Sequence, residues 1–268
     1  MCELLGMSSR NPVQLTFSLE ALASHSAPPG SHREGWGAAF YQDKDVALFR
    51  EPVAASESAL VRFLEQQGSP TSLAISHIRH ATRGPVSLAN TQPFVRECMG
   101  RMHVFAHNGD LPGIERSSSL CYDRYRPIGE TDSEHAFCAL LERFAGLTVI
   151  PPLDERLSLL AGFAADLRKL GPANFLYADG DALFAFGDRR TQPGSAARAA
   201  PGLVMQSCVC VDGKREICVR GLSISPGFQE VTLIASVPLI PADTIWRSFQ
   251  EGELIAVANG RVQGATGV

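Results

Sequence analysis

Apolar and polar positions follow two different periods along this chain of 268 residues, and the period changes in blocks. Short apolar runs bounded by turn residues are typical of strands, whereas apolar positions three and four apart predict helices. The first pattern predicts strands at 36–41, 46–49, 73–78, 102–106, 174–178, 182–186, 203–211, 216–219, 231–237 and 253–257. The second predicts helices at 56–67, from Thr131 onward, and from Asp154 to Gly171. Strands on both sides of a helical block predict an α+β domain with helices on the faces of antiparallel sheets.

Polar residues mark the ends of several of these elements. Thr131 and Glu134 form a T-x-x-E capping box before an apolar stripe, and Asp154 is the predicted cap of the next helix. An Asp-Gly pair between two later apolar runs predicts a tight hairpin. Two stretches rich in Ser, Ala, Gly or Pro, at 24–31 and 191–201, are predicted to be surface loops.

Composition narrows the class of protein. A hydrophobic content of 45% supplies a core, and a net charge of −4 argues against a nucleic-acid or membrane-surface partner. The beginning of the chain lacks the pattern of a signal peptide, and no apolar run reaches the roughly eighteen residues of a membrane helix. Seven irregularly spaced cysteines without a CxxC pair favour reduced thiols. We therefore expect a cytoplasmic protein with one domain over residues 2–268.

Cys2 is the first candidate for catalysis. Removal of Met1 would leave a thiol nucleophile and a free α-amine on the same residue. The α-amine has a reference pKa of roughly 7.7–8.0, so it can take and return a proton near neutral pH. A cysteine in second position also occurs without any function, so this interpretation needs support from other residues.

Three later segments each offer a function and an ordinary structural alternative. Arg79 follows an apolar strand and could clamp a carboxylate with help from the Thr82 hydroxyl, although a solvent-exposed basic loop has the same pattern. Asn108 and Gly109 could donate N–H groups to an oxyanion, although Asn-Gly is also a common tight turn. Asp132 could accept an ammonium group or simply complement a helix dipole.

Two histidine pairs raise the question of a metal site. His77 with His80, and His103 with His107, have spacings seen in metal sites, but neither a paired carboxylate nor a CxxC accompanies them. No metal is therefore expected. The chain also lacks GxSxG, GxxxxGK[ST] and a convincing GxGxxG, which counts against a serine hydrolase, a P-loop enzyme and a dinucleotide enzyme. No cofactor is expected.

The order of the chemistry-bearing segments is more specific than any one of them. In sequence they are Cys2, Glu34-Gly35-Trp36-Gly37, Arg79 in an H-x-R-x-A-T-x-G segment, Asn90-Thr91-Gln92-Pro93-Phe94, His107-Asn108-Gly109 and Glu130-Thr131-Asp132-Ser133-Glu134. This succession closely resembles the class II glutamine amidotransferases, whose glutaminase domain is an N-terminal nucleophile hydrolase. The resemblance runs by motif from residue 2 to about residue 145. It implies a four-layer αββα sandwich, with Cys2 as nucleophile, its α-amine as base, and Asn108 and Gly109 as the oxyanion hole.

The same resemblance implies how the substrate is held. Arg79, helped by Thr82, would bind the α-carboxylate of glutamine, and Asp132 would accept its α-ammonium group. These roles agree with the chemistry of the residues, because a zwitterionic amino acid needs one cationic and one anionic partner.

One residue departs from the family pattern. The residue after the arginine is commonly Trp in the sugar-aminating and purine branches, whereas here it is His80. This departure bears on how the site is covered. Trp36, His80 and His107 are expected to surround the reacting residues. The E-G-W-G segment and the M-C-E-L-L-G start look more like a stand-alone bacterial subgroup that includes the γ-glutamyl amide hydrolase of ergothioneine biosynthesis.

Three functions stay open at this point. The preferred one is hydrolysis of a γ-glutamyl amide bond, in glutamine or a larger γ-glutamyl compound, through a thioester on Cys2 that releases ammonia or an amine. Since no phosphate-binding loop follows residue 145, the second is a glutaminase subunit that delivers ammonia to a separate synthase. The third is a non-catalytic ligand-binding relative. The expected partner is a small-molecule substrate, with no nucleic acid and no membrane.

Overall fold

The structure is a computed structural model that describes residues 2–15, 34–80, 84–192, 197–210, 222–223, 228–239 and 245–268. The predicted loop at 24–31 and the predicted strand at 216–219 lie outside the described residues, as do Met1 and Thr82.

The described residues form strands at both ends of the chain, with helices between them. In chain order the strands are β1 (Glu3–Leu15), β2 (Trp36–Gln42), β3 (Asp45–Glu51), β4 (Thr71–Ile78), β5 (Phe94–Cys98), β6 (Arg101–Gly109), β7 (Ala173–Ala178), β8 (Leu183–Gly187), β9 (Arg190–Thr191), β10 (Arg198–Ala199), β11 (Val204–Cys210), β12 (Leu222–Ser223), β13 (Gln229–Ala235), β14 (Arg247–Ser248), β15 (Glu253–Ala258) and β16 (Arg261–Gly267). The α-helices are α1 (Ala59–Gln67), α2 (Asp132–Ala145) and α3 (Leu153–Arg168), and 3₁₀ turns lie at Ala55–Glu57 and Ile114–Arg116.

Two antiparallel sheets carry most of these strands. The first has eight strands in the order β14-β11-β13-β1-β4-β2-β3, with β12 also paired to β1. The second has six, in the order β16-β15-β8-β7-β6-β5. In the first sheet β1 lies between β13 and β4, and in the second β6 lies between β5 and β7. β1, which directly follows Cys2, and β6, which contains Asn108 and Gly109, therefore each have a neighbouring strand on both sides.

Three apolar layers separate the sheets and helices. Buried residues of α1 pack on the outer face of the first sheet, where they share an apolar cluster with Trp36 of β2. Leu4 of β1 and Leu176 of β7 lie in the layer between the two sheets. Residues of α2 and α3 pack with Phe105 and Phe175 on the outer face of the second sheet. The layers follow the order helix, sheet, sheet, helices, which confirms the predicted four-layer αββα sandwich.

The predicted start of α2 is confirmed, but only half of its capping box forms. Thr131 is the N-cap, and its hydroxyl accepts a hydrogen bond from the Glu134 N–H at 3.3 Å. The Glu134 carboxylate instead contacts the Arg96 guanidinium at 2.5 Å and the Gly129 N–H at 2.7 Å. This acid therefore ties the helix to β5 and to the preceding loop.

The other two helix starts differ from the predictions. Helix α1 begins later than predicted, because Ser58 is its cap and accepts from the Val61 N–H at 3.0 Å. Phe63, predicted to lie on the buried stripe, is 51% exposed. In α3 the N-cap is Pro152, and Asp154 lies in the first turn, where an acid favours the positive end of the helix dipole.

The stretch rich in Ala, Gly and Pro, predicted to be a loop, contains a short two-stranded ribbon. Thr191 of β9 pairs with Arg198 of β10, and Arg190 pairs with Ala199. The Gln192 side-chain amide donates to the Ala199 carbonyl at 2.7 Å. We call this unit the β9–β10 ribbon.

Candidate active site

A cavity of about 360 Å³ lies where β1 and β6 carry their predicted catalytic residues. Four residues of the predicted site line it: Cys2, His80, Asn108 and Gly109. The other lining residues are Asp110, Pro172, Asn174, Arg189, Arg190, Thr191 and Arg198. Motif residues that are far apart in the sequence thus meet in one cavity. The β9–β10 ribbon supplies part of the cavity wall.

The Cys2 thiol contacts the backbone that follows β4. The His80 N–H donates to Cys2 Sγ at 3.2 Å, and Sγ lies 3.3 Å from the His80 carbonyl oxygen. Burial raises the pKa of the Cys2 thiol, an effect that the His80 N–H and the nearby Arg79 charge oppose. Because burial is the larger effect, the thiol needs a base to become a nucleophile near neutral pH.

Asn108 and Gly109 lie in the last two positions of β6, so the alternative of an isolated tight turn is wrong. Asn108 Nδ2 donates to the Cys2 carbonyl at 2.6 Å, which joins the two sheets at the predicted nucleophile. An amide NH₂ carries two N–H groups, so this bond engages one of them. A side chain at Gly109 would place its Cβ 2.2 Å from the Pro172 carbonyl oxygen, so only glycine fits between β6 and β7 here.

Arg79 is buried, so the alternative of a solvent-exposed basic loop is wrong for this residue. One guanidinium nitrogen, Nη2, donates to the Gly84 carbonyl at 3.2 Å. Burial lowers the pKa of Arg79, and the Cys2 and Glu34 side chains raise it. Arg79 is therefore close enough to Cys2 to feel its charge, although it does not line the cavity. Its predicted helper, Thr82, lies outside the described residues.

Asp132 is the first residue of α2, and its carboxylate is held by backbone donors. Oδ2 accepts from the Leu111 N–H at 2.8 Å and Oδ1 accepts from the Ser133 N–H at 2.8 Å. The Ser133 hydroxyl lies 2.9 Å from His107 Nδ1. Asp132 is half-buried and does not line the cavity. A carboxylate oxygen accepts more than one hydrogen bond, so this group retains acceptor capacity for an ammonium ion.

His107 lies behind Asn108 and is fixed by Gln92. Gln92 Oε1 accepts from the His107 N–H at 2.6 Å, and Gln92 Nε2 donates to the His107 carbonyl at 3.1 Å. Burial lowers the pKa of His107, so its imidazole is neutral near pH 7. The asparagine thus follows a residue whose backbone is clamped on both sides.

Trp36, the third residue expected around the site, pairs with Ile78, which directly precedes Arg79, but the ring does not line the cavity. Its ring is fully buried in the layer between the first sheet and α1, and its Nε1 donates to Glu51 Oε2 at 3.1 Å. The same carboxylate accepts a hydrogen bond from Ser58, the cap of α1. Trp36 therefore supports the start of a helix on the outer face of the sheet and does not line the cavity.

Sequence reasoning missed the wall formed by β7 and the β9–β10 ribbon. Asn174 lies opposite Asn108 in the strand register, and its Nδ2 donates to the Asn108 carbonyl at 3.1 Å. No local pattern marks Asn174, because its position follows from strand pairing. The Arg189-Arg190 pair, one residue beyond the apolar strand β8, was a signal similar to Arg79 after β4.

The histidine pairs do not form a metal centre in the described part of the chain. Among the described residues there is no group of three or more His, Cys, Asp or Glu side chains that could hold a metal ion. His103 contacts the Tyr177 hydroxyl at 2.6 Å and the Cys98 carbonyl at 3.0 Å, which makes it a hydrogen-bonded core residue. In the same described residues, no helix is long and apolar enough to cross a membrane.

Known proteins are similar to this chain over nearly its full length. The model of the family described as "Glutamine amidotransferases class-II" matches residues 1–267. The putative glutamine amidotransferase YafJ of Escherichia coli is 34% identical over 258 residues, which cover 94% of this chain and 96% of that protein. The uncharacterized protein MJ1515 of Methanocaldococcus jannaschii is 34% identical over 267 residues, covering 98% of this chain and 70% of that protein.

Solved structures agree. The 2.0 Å crystal structure of the predicted glutamine amidotransferase from Pseudomonas aeruginosa PA01 superposes with a TM-score of 0.70 at 32% identity, covering 98% of this chain and 100% of that chain. The glutamine phosphoribosylpyrophosphate amidotransferase of B. subtilis has a TM-score of 0.59 at 15% identity, covering 99% of this chain and 49% of that one, which shows the fold alone. The sandwich is thus of the N-terminal nucleophile hydrolase type. The chain belongs to the class II glutamine amidotransferases, the enzymes that release ammonia from the side-chain amide of glutamine.

Proposed function

We propose that this protein hydrolyses a γ-glutamyl amide bond through a thioester on Cys2. The observation that carries the proposal is the position of Cys2 in the wall of a cavity that Asn108 and Gly109 also line. The Asn108 amide donates to the carbonyl of Cys2 itself, so nucleophile and oxyanion donor keep a fixed separation. A fixed separation of this kind is what electrostatic stabilisation of a tetrahedral intermediate requires.

The chemistry needs one thiol, one base and one water. Removal of Met1 frees the α-amine of Cys2, which takes the thiol proton as Sγ attacks the γ-carbonyl carbon. The carbon–nitrogen bond then breaks, the α-ammonium returns the proton to the departing amine, and a γ-glutamyl thioester remains on Sγ. Water attacks the thioester carbon with the α-amine as base. The carbon–sulfur bond breaks, glutamate leaves and the thiol is restored.

The γ-glutamyl half of the substrate would be held by Arg79 and Asp132. A buried guanidinium beside the nucleophile suits the α-carboxylate, because a charge-assisted bond is strongest where water is excluded. The Asp132 carboxylate, held in place by the N–H groups of Leu111 and Ser133, suits the α-ammonium. Opposite charges at the two positions fit a zwitterionic amino acid and select against a simple amide.

A mechanism-based label tests this proposal. A glutamine analogue with a diazoketone in place of the amide alkylates a nucleophile that attacks at the γ-position, so intact mass and peptide mapping should find one adduct on Cys2 of a chain without Met1. Cys2→Ala should fold, remain unlabelled and lose glutamine hydrolysis. Cys121 is an exposed free cysteine, and Cys121→Ser provides a matched control that should label like the unmodified protein.

Two results would contradict the proposal. One is glutaminase activity in Cys2→Ala comparable with that of the unmodified protein. The other is labelling of Cys121 in place of Cys2, since that would report thiol exposure and not a γ-glutamyl site.

A further inference from the structure

Two arginines of the cavity wall have no role in the chemistry proposed for glutamine. Arg189 directly precedes the β9–β10 ribbon and Arg198 lies within it, and both line the cavity that contains Cys2. Arg79 and Asp132, the residues proposed to hold the two charges of glutamine, do not line that cavity. The leaving group of glutamine is ammonia, which offers an arginine neither charge complementarity nor contact area. If Arg79 and Asp132 hold glutamine as proposed, these arginines are surplus to its recognition.

The neighbouring Arg190 differs from them because a buried acid neutralises its charge, although its Nε, like that of Arg189, makes no hydrogen bond within the described residues. Its guanidinium donates to both oxygens of Glu3, at 3.0 and 3.4 Å, and to the Ser236 carbonyl. Arg190 thus has a structural partner behind the cavity wall. Its contribution to the cavity is largely neutralised.

Arg189 and Arg198 have acidic neighbours only at longer range. Arg198 Nη2 lies 3.7 Å from Asp110 Oδ2, and Arg189 Nε lies 3.7 Å from both Asp188 Oδ1 and Glu251 Oε1. These separations exceed hydrogen-bond length. Arg189 Nε is also shielded from solvent and makes no hydrogen bond within the described residues. The carboxylates orient the two guanidinium groups and leave N–H donors for another acceptor.

We propose that Arg189 and Arg198 form an anion-binding subsite for the amine half of the substrate, so that the preferred substrates are γ-glutamyl amides whose amine carries a carboxylate. This inference rests on the proposed function, because it names what lies beyond the scissile amide nitrogen. Planar guanidinium groups match a carboxylate well. A cavity of about 360 Å³ falls in the range that holds a ligand larger than an amide nitrogen.

The experiment compares two substrates that differ in one charge. The amine half of γ-glutamylglycine carries a carboxylate, and γ-glutamylglycinamide carries a neutral amide of almost the same size in its place. The readout is the ratio of kcat/KM for the first to that for the second, measured on the unmodified protein and on the Arg189→Gln, Arg198→Gln double variant. Arg247→Gln is the control, because Arg247 has similar exposure (44%, against 39% and 49%) and lies outside the cavity lining.

The expected ratio for the unmodified protein is about tenfold or more in favour of the charged substrate, falling at raised ionic strength because the arginines are partly exposed. The double variant should bring the ratio close to one, and Arg247→Gln should leave it unchanged. Hydrolysis of both substrates with a ratio near one in the unmodified protein would overturn the subsite and leave the proposed function standing.

Two further outcomes are separable. An equal loss on both substrates in the double variant would assign the arginines to the shared γ-glutamyl half and overturn the inference. No hydrolysis of either substrate or of glutamine, with Cys2 unlabelled by the diazoketone analogue, would overturn the proposed function and the inference together.

Discussion

Arg190 donates two hydrogen bonds to the carboxylate of Glu3, the residue directly after Cys2. The two side chains are 4% and 0% exposed, and Arg190 also donates to the Ser236 carbonyl. The Leu4 N–H in turn donates to the Ser236 hydroxyl at 3.0 Å. One buried ion pair therefore joins the start of β1 to the β9–β10 ribbon and fixes the backbone directly after Cys2, the proposed nucleophile.

Breaking this pair should be costly on either side. Glu3→Gln or Arg190→Met leaves one charge buried without its partner, so each should lower the free energy of unfolding by about 3–5 kcal/mol. The double variant Glu3→Gln, Arg190→Met should lose less than the sum of the two, since no unpaired charge remains. Urea unfolding of the four proteins measures the coupling, and strictly additive losses would contradict the pairing.

Asn108 should act in the chemical step and not in binding. Asn108→Ala removes the amide that the resemblance assigns to the oxyanion hole, so kcat should fall by about 10²–10³ with little change in KM. Labelling of Cys2 before and after the substitution shows whether the nucleophile is still in place. A raised KM at unchanged kcat would instead assign Asn108 to substrate binding.

Arg79 and Asp132 should mainly affect substrate binding. Arg79→Lys keeps the charge but loses the planar fork, and Asp132→Asn loses the charge that an ammonium group needs. Each should raise KM for glutamine roughly tenfold to a hundredfold, with a smaller effect on kcat. Steady-state kinetics with glutamine tests both variants. A change confined to thermal stability would show that the residues only support the fold.

His77 should make the protein sensitive to acid. Both ring nitrogens are buried without a hydrogen bond in the described residues, and burial lowers the pKa from 6.5 to about 3. The unfolded chain therefore binds a proton that the folded chain rejects as the pH falls below about 6.5. This contribution to stability is full above that pH and declines toward pH 3, by up to about 1.4 kcal/mol per pH unit.

The comparison with His77→Gln isolates this effect, because glutamine does not titrate. Between pH 7 and pH 4 the free energy of unfolding should fall less steeply with pH for the variant. The difference between the two slopes should correspond to at most one proton taken up on unfolding. Parallel pH dependences for the two proteins would show that His77 titrates equally in both states.

Local patterns were sufficient for the helices and hairpins that carry their own signals. The Asp-Gly turn between β7 and β8 forms as predicted. β1, β5 and β16 were not predicted. β1 mixes apolar with small and polar residues, all buried over its first seven positions, because it is covered on both faces. A strand in that position does not need to alternate.

The site divides along the same line. The motif residues were predictable, since Cys2, His80, Asn108 and Gly109 meet in one cavity. The motif did not indicate which way Trp36 faces. Alternate residues of a strand face opposite sides, and this ring packs toward α1. The rest of the wall depends on long-range pairing between strands, and no local pattern contains that information.

The central position of β1 has a consequence for how activity would be lost on heating. Strand ends near a chain terminus usually fray. Here the backbone after Cys2 pairs with β4 from Glu3 onward and with β13 from Leu5 onward. Amide protons along this segment should exchange with solvent only when the whole molecule unfolds. Loss of activity on heating would then coincide with loss of the fold, with no earlier stage in which Cys2, the proposed nucleophile, alone has moved out of place.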